Sequence, residues 1–213
     1  MSFRFKGKAK YQTSEGIGVI KDIVNCPGHS APLVKVKLND QKWTLIAGEG
    51  LHVGQQISIG ASTQLKTGDV MALKDLPLGA MVYNLESRPG DGGKFVRASG
   101  TFAKIVSKTS DFVTVKLPSK NSKKFHPLCR ATMGRVAGSG RVDKPLVKAG
   151  NRHYKIRARG GIYPKTSGVA MNAVDHPYGG SSSSHKGQPT VAPKNAPPGR
   201  KVGKIRPRRT GKR

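Results

Sequence analysis

Three strings hold the residues best suited to chemistry. Residues 168–180 read GVAMNAVDHPYGG, and Asp175 and His176 there form the only adjacent carboxylate–imidazole pair in the chain. An imidazole titrating near pH ~6.5 suits general acid–base work. Neighbours in an extended segment point to opposite sides, however, so Asp175 is poorly placed to orient His176. No nucleophile with an activating base of its own stands nearby, and a nucleic-acid contact is the alternative role for His176. Residues 87–101, SRPGDGGKFVRASGT, set four glycines and a proline beside Arg88, Lys94 and Arg97. Backbone amides in such a loop can cradle phosphate. GxxxxGK[ST] spacing is absent and no helix start follows, so this is not a nucleotide-triphosphate loop. It is either a phosphate contact or a connecting turn. Residues 195–213, NAPPGRKVGKIRPRRTGKR, repeat a basic side chain every two or three positions in a Pro- and Gly-rich context. At about 3.3 Å of rise per residue, such charges match the phosphate spacing of one strand. Arg can fork onto phosphate oxygens and stack on bases, whereas Lys acts as a point charge.

The charge balance points the same way. The 213 residues carry 39 Lys+Arg against 11 Asp+Glu, a formal net charge of +28. An ordinary soluble enzyme mixes both signs and stays much closer to neutrality. Half of the excess, +14, lies in residues 151–213, which hold fifteen basic and one acidic side chain. Like charges at this density repel one another and oppose a compact state. The implied partner is a polyanion, with nucleic acid first and an anionic membrane surface second.

Other signals exclude whole classes. Cys26 and Cys129 are far apart and form no CxxC pair, so neither a disulfide framework nor a zinc site is suggested. No catalytic residue, metal ligand set or cofactor is assigned. Residues 1–11, MSFRFKGKAKY, are basic and lack the apolar run of a secretory leader. No run of about 18 apolar residues is present to span a bilayer, and the expected location is intracellular.

The elements that must position these strings are strands. Residues 16–24 (GIGVIKDIV), 33–38 (LVKVKL), 42–47 (KWTLIA) and 56–59 are β-branched, partly alternating and punctuated by Gly and Pro. Leu33, Val36 and Leu38 cannot share one face of a flat strand, which predicts a bulge or bend near Lys35. A boundary falls at residues 76–79, Leu-Pro-Leu-Gly. Beyond it a second series is expected at 81–85, 101–107, 112–117 and 123–126. Phe112, Thr114 and Lys116 alternate with Val113, Val115 and Leu117, the pattern of a half-buried strand. Residues 108–111 and 119–122 suit hairpin turns. From about His153 the strand signal stops. Large apolar side chains become too scattered for the remaining segment to fold without an external surface.

Residues 168–180, together with 87–101, HPLCRATMG at 126–134 and the last nineteen residues, resemble the universal second protein of the large ribosomal subunit. The resemblance runs from about Gly16 to Arg213. APPGRKVG and DGGKFVRASGT are closer to the archaeal and eukaryotic form than to the bacterial one. It implies a mainly β fold, with an oligonucleotide-binding-type barrel over 16–77 and an SH3-like barrel over 78–152. A short basic N-terminal extension (1–15) would precede them, and a long irregular basic extension (153–213) would follow, ordered by RNA. It implies a non-enzymatic structural protein in the cytoplasmic ribosome. Such a protein binds large-subunit ribosomal RNA near the peptidyl-transferase centre and supports subunit association, tRNA binding and peptide-bond formation. The implied partners are that RNA, neighbouring ribosomal proteins and the small subunit across the interface, with no membrane. His176 matches the family histidine discussed for peptidyl transfer and takes an RNA-organising role, because RNA performs the chemistry. Expected RNA contacts are Arg88, Lys94, Arg97, Arg130 and Arg135 on the barrels. In the extension they are Arg157, Arg159, Lys165, Asn172, His176, Lys186, Lys194, Arg200, Lys201, Lys204, Arg208 and Arg209. The chain departs from the family pattern at Ser167, Tyr178 and Ser181 to Ser184, and in a shorter basic N-terminus.

Overall fold

The computed structural model describes residues 6–12, 14–60, 65–180, 191, 192, 195, 204 and 205. The chain divides into two units, Met1–Gly161 and Ile162–Arg213. In the first, β-branched segments broken by Gly and Pro give β1 (Gly16–Val24), β2 (Leu33–Leu38), β3 (Gln41–Ile46), β4 (Gln56–Ile59) and β5 (Val70–Ala72). A second series gives β6 (Met81–Tyr83), β7 (Ala103–Lys108), β8 (Val113–Lys116), β9 (Ser122–Phe125) and β10 (Arg130–Met133). All ten join one sheet in the order β3-β2-β1-β4-β5-β10-β6-β7-β8-β9. β10 pairs antiparallel with β5 on one side and β6 on the other, so it joins the two series.

Each series has its own apolar core, and the mainly β architecture is consistent with the expected barrel-type fold. Ile20, Val34, Val36, Leu38, Trp43, Ile57, Ile59 and Val70 form the first core. Met71, Leu73, Leu76, Val82, Ile105, Val115 and Phe125 belong to the second. Leu33, Ile46, Tyr83 and Val136 make a third cluster, drawn from both series. Tyr11 is buried in the first core and Ala9 in the third, so the basic segment before β1 is anchored by its apolar residues.

The strand edges read from sequence coincide with the structure for β1, β2 and β4. The expected bulge near Lys35 is corrected. In β2, Val34, Val36 and Leu38 alternate regularly into the first core, and Leu33 is buried on the other face in the third cluster. The irregularity lies in the partner strand instead, between Ile20 and Asp22 of β1, opposite Val36 and Lys35. The β7–β8 and β8–β9 pairs are antiparallel, as the two tight connections imply.

After β10 the first unit becomes irregular until α1 (Ala149–Arg157), a helix without buried residues. In the second unit, a 3-10 turn at Gly168–Ala170 precedes a compact loop over 171–180, and β11 (Val191–Ala192) pairs parallel with β12 (Lys204–Ile205). Among the described residues, no helix is long and apolar enough to cross a membrane.

Candidate nucleic-acid interface

The Gly-rich loop between β6 and β7 is braced from inside. Ser87 and Arg88 donate their amides to Asp91 Oδ2 at 3.0 and 3.3 Å, and Gly93 donates to Oδ1 at 3.1 Å. The amides of Gly90 and Gly92 donate to the fully buried Glu86 carboxylate at 3.3 and 3.1 Å. These five amides are engaged by carboxylates of the protein itself, so the loop is a braced turn rather than an open phosphate cradle. Burial raises the Asp91 pKa, but the Gly93, Ser87 and Arg88 amides and the Lys94 ammonium outweigh it and hold the group below its ordinary value. Gly93 has φ +90, and a Cβ there would lie 2.5 Å from Asn84 Oδ1, so this position needs glycine.

The five barrel cations differ in what they touch. Arg88 is exposed, and Lys94 is exposed with its Nζ 3.4 Å from Asp91. Arg97 donates to the carbonyls of Gly93 and Ala9 at 2.6 and 2.8 Å, fastening the N-terminal segment to the loop. Arg130 donates to Glu86 at 3.0 Å and to the Gln12 carbonyl. Arg135 donates to the Gly100 carbonyl at 3.2 Å and lies 3.5 Å from Glu49. Arg97 and Arg130 are therefore braces within the protein, while Arg88 and Lys94 present their charge outward.

The segment after β10 presents charge in a different way. Between Arg141 and Arg159 the chain carries seven basic residues and one acidic residue, Asp143. The α1 N-terminus has no side-chain cap and no acidic residue in its first turn, while Lys155 and Arg157 in the last turn suit the helix dipole. A nine-residue helix is marginal without a packed face, and no residue of α1 is fully buried. Its surroundings form a cleft of about 330 Å³ lined by His29, Arg141, Lys144, Lys155 and Arg159, among others. Arg141 reaches back to the Ser99 hydroxyl, which ties the cleft to the β6–β7 loop. His29 Nδ1 lies 3.2 Å from Cys26 Sγ. Burial, together with the charges of Arg97 and Arg159, holds the His29 pKa below its ordinary value. The cleft suits an anion. Of its cations, sequence reasoning named only Arg159. The i, i+4 spacing of Lys155 and Arg159 was the available signal, but without apolar periodicity it did not mark a helix.

Arg157 and Lys165 are exposed. In the loop 171–180 the Asn172 carbonyl accepts the amides of Asp175 and His176 at 3.1 and 3.2 Å, while Gly180 donates to Met171 at 3.2 Å. The His176 Nδ1 accepts the Tyr178 amide at 3.1 Å, and the two rings meet edge-on with centroids 5.0 Å apart. A Cβ at Gly168 would overlap the imidazole. Asp175 forms neither a hydrogen bond nor an ion pair with His176 among the described residues. The pair is not a catalytic dyad, and the imidazole is a packed part of the loop. Lys204 lies in β12. Lys186, Lys194, Arg200, Lys201, Arg208 and Arg209 lie outside the described residues. No group of three or more metal-ligating side chains occurs among the described residues.

Residues 66–199, from the end of the first module through the His176 loop, match the family described as Ribosomal Proteins L2, C-terminal domain. The chain belongs to the ribosomal protein L2 family. This is a family of ribosomal components, not of enzymes. The chain is 45% identical over 220 residues to the large ribosomal subunit protein uL2 of Methanothermobacter thermautotrophicus, covering all of this chain and 91% of that protein. It is 46% identical to the uL2 proteins of Haloquadratum walsbyi, covering 99% of this chain and 89% of the other, and of Methanococcus maripaludis, covering 100% and 92%. These L2 relatives are archaeal, in line with the archaeal or eukaryotic character read from DGGKFVRASGT.

Proposed function

We infer that the chain is a structural constituent of the large ribosomal subunit, located in the cytoplasmic ribosome, that binds large-subunit ribosomal RNA through surfaces its own fold leaves bare. The observation that carries this reading is α1 with its flanks: a basic helix with no buried residue and one nearby acid, beside a cleft lined by cations. Such a segment gains stability from a polyanion rather than from a core. Two barrels, over 16–77 and 78–152, dock by shape and by contacts to phosphate and 2′-OH groups, since side chains cannot read a deep A-form major groove. Arg88 and Lys94 carry barrel contacts, with Arg97, Arg130 and Arg135 holding the surface that presents them. From 153 onward the chain follows RNA towards the peptidyl-transferase centre, and Arg157, Arg159, Lys165, Asn172, His176 and the later basic residues contact it. In that position the protein supports subunit association, tRNA binding and peptide-bond formation, next to neighbouring ribosomal proteins and the small subunit.

The test is sedimentation of the tagged full chain from lysate, with binding to isolated ribosomal RNA alongside. Co-migration with the large subunit that survives high salt is expected. Equal affinity for heparin, duplex DNA and ribosomal RNA at moderate salt would refute the reading in favour of a charge-only binder.

A further inference from the structure

A second cleft, of about 430 Å³, lies on the second series of strands, where the Gly-rich string ends at Gly100 and Thr101. Its lining includes Phe102, Leu117, Pro118, Lys104, Lys116 and Lys120. Three features mark this cleft. Phe102, the residue before β7, is 40% exposed, while Ala103 and Ile105 of that strand turn inward. Lys104 of β7 and Lys116 of β8 are direct register partners across the strand pair, an arrangement in which like charges repel. Lys104, Lys116 and Lys120 are all exposed, and none has an ion pair among the described residues. The walls are nevertheless fixed. Lys120 donates its amide to the Leu117 carbonyl and Leu117 donates to Asn121, each at 2.9 Å. Arg135, held by Gly100 and Glu49, has its guanidinium carbon 6.0 Å from the Phe102 ring centroid.

We propose that this cleft receives one unpaired nucleotide of single-stranded RNA, its base stacked on Phe102 and its flanking phosphates neutralised by Lys104, Lys116 and Lys120. An aromatic face beside apolar walls and ammonium groups matches a flat π-surface joined to an anionic backbone. The charge of the lining disfavours a cationic occupant, and a neutral apolar one would leave the three ammonium groups uncompensated. A phosphate alone would leave Phe102, Leu117 and Pro118 wet. The proposal rests on the RNA-binding reading and adds a place where a base, not only backbone, is held.

The test uses the full-length protein and a labelled single-stranded oligoribonucleotide, the same oligomer with abasic sugars, and a duplex of equal length, compared by fluorescence anisotropy at moderate salt. Wild type should prefer the intact oligomer to the abasic one. Phe102→Ala should weaken the intact oligomer by roughly 5- to 100-fold and leave the abasic oligomer and the duplex unchanged, while Phe102→Trp keeps the affinity. Lys104→Ala should lower the salt dependence of single-strand binding by about one phosphate equivalent, a slope change of ~0.7. Equal binding of intact and abasic oligomers by wild type, or a Phe102→Ala loss shared with the duplex, would overturn the proposal. So would crosslinking of the cleft in assembled particles to an acidic protein segment instead of RNA. If wild type did not prefer ribosomal RNA to heparin, the broader functional reading would fail. A preference for ribosomal RNA without a Phe102 effect would remove only the base pocket.

Discussion

Replacing Glu86 with glutamine isolates the brace that holds the Gly-rich loop to the second module. The Glu86 side chain is fully buried, and its carboxylate accepts four hydrogen bonds. Oε1 takes Gly92 N–H at 3.1 Å and Arg130 Nη2 at 3.0 Å, while Oε2 takes Gly90 N–H at 3.3 Å and Arg130 N–H at 2.9 Å. Glutamine keeps one acceptor oxygen and turns an NH2 group towards the other two donors. It also leaves Arg130, whose side chain is only 15% exposed, without its counter-charge. Removing one partner of a buried pair costs about 3–5 kcal/mol, a large share of a total stability of roughly 5–15 kcal/mol. Trp43, the single tryptophan and fully buried, reports unfolding by its fluorescence. With a urea slope of about 2 kcal/mol per molar, the midpoint should fall by roughly 1.5–2.5 M at an unchanged slope. The double variant Glu86→Gln with Arg130→Met should be less destabilised than the sum of the singles, since the orphaned cation is gone. A midpoint shift below about 0.3 M, or additive singles, would show that the carboxylate does not brace the loop.

Two other outcomes follow from the basic cleft and the His176 loop. Because folding lowers the His29 pKa below 6.5, its contribution is complete above pH 6.5 and stability declines as the pH falls through the window below it. An NMR titration of His29 should show this depressed value in the free protein and an upward move when RNA is added, whereas a free-protein value at or above 6.5 would contradict the geometry. His176→Ala should remove the acceptor for the Tyr178 amide and impair incorporation into large subunits, while particles that do assemble retain peptidyl transfer. Normal assembly with abolished peptidyl transfer would establish an acid–base role instead.

Strand identity was legible wherever β-branched residues ran long enough to alternate, as in β1, β2 and β8. β5 and β10 were not, because Val70–Ala72 spans only three residues and Arg130–Met133 has a single β-branched residue, Thr132. Arg130–Met133 is recognisable as a strand only through its pairing with β5 and β6. The supposed bulge near Lys35 arose from treating each strand as having one buried face, whereas Leu33 and Val34 are buried on opposite sides. The Asp91 brace is local and accords with an acidic residue capping its own turn. The Glu86–Arg130 brace joins residues 44 apart in sequence, and no local pattern reveals it. The charge of the last third was plain from composition. The clefts at Lys155–Arg159 and at Phe102 depend on which side chains the fold brings together, and spacing along the chain does not encode that.

The place of β10 between β5 and β6 also bears on the order in which the protein can form during synthesis. A chain emerging from its N-terminus exposes β5 and β6 well before residues 130–133 exist, and β5 is otherwise joined to β4 by a single registered pair, Ile59 with Val70. Until the tenth strand arrives, each module has an open edge that invites pairing with another nascent chain. Completion of both modules is therefore a late and shared event. The cationic segment of α1 emerges after it, so the strands can close before the exposed basic segment becomes available.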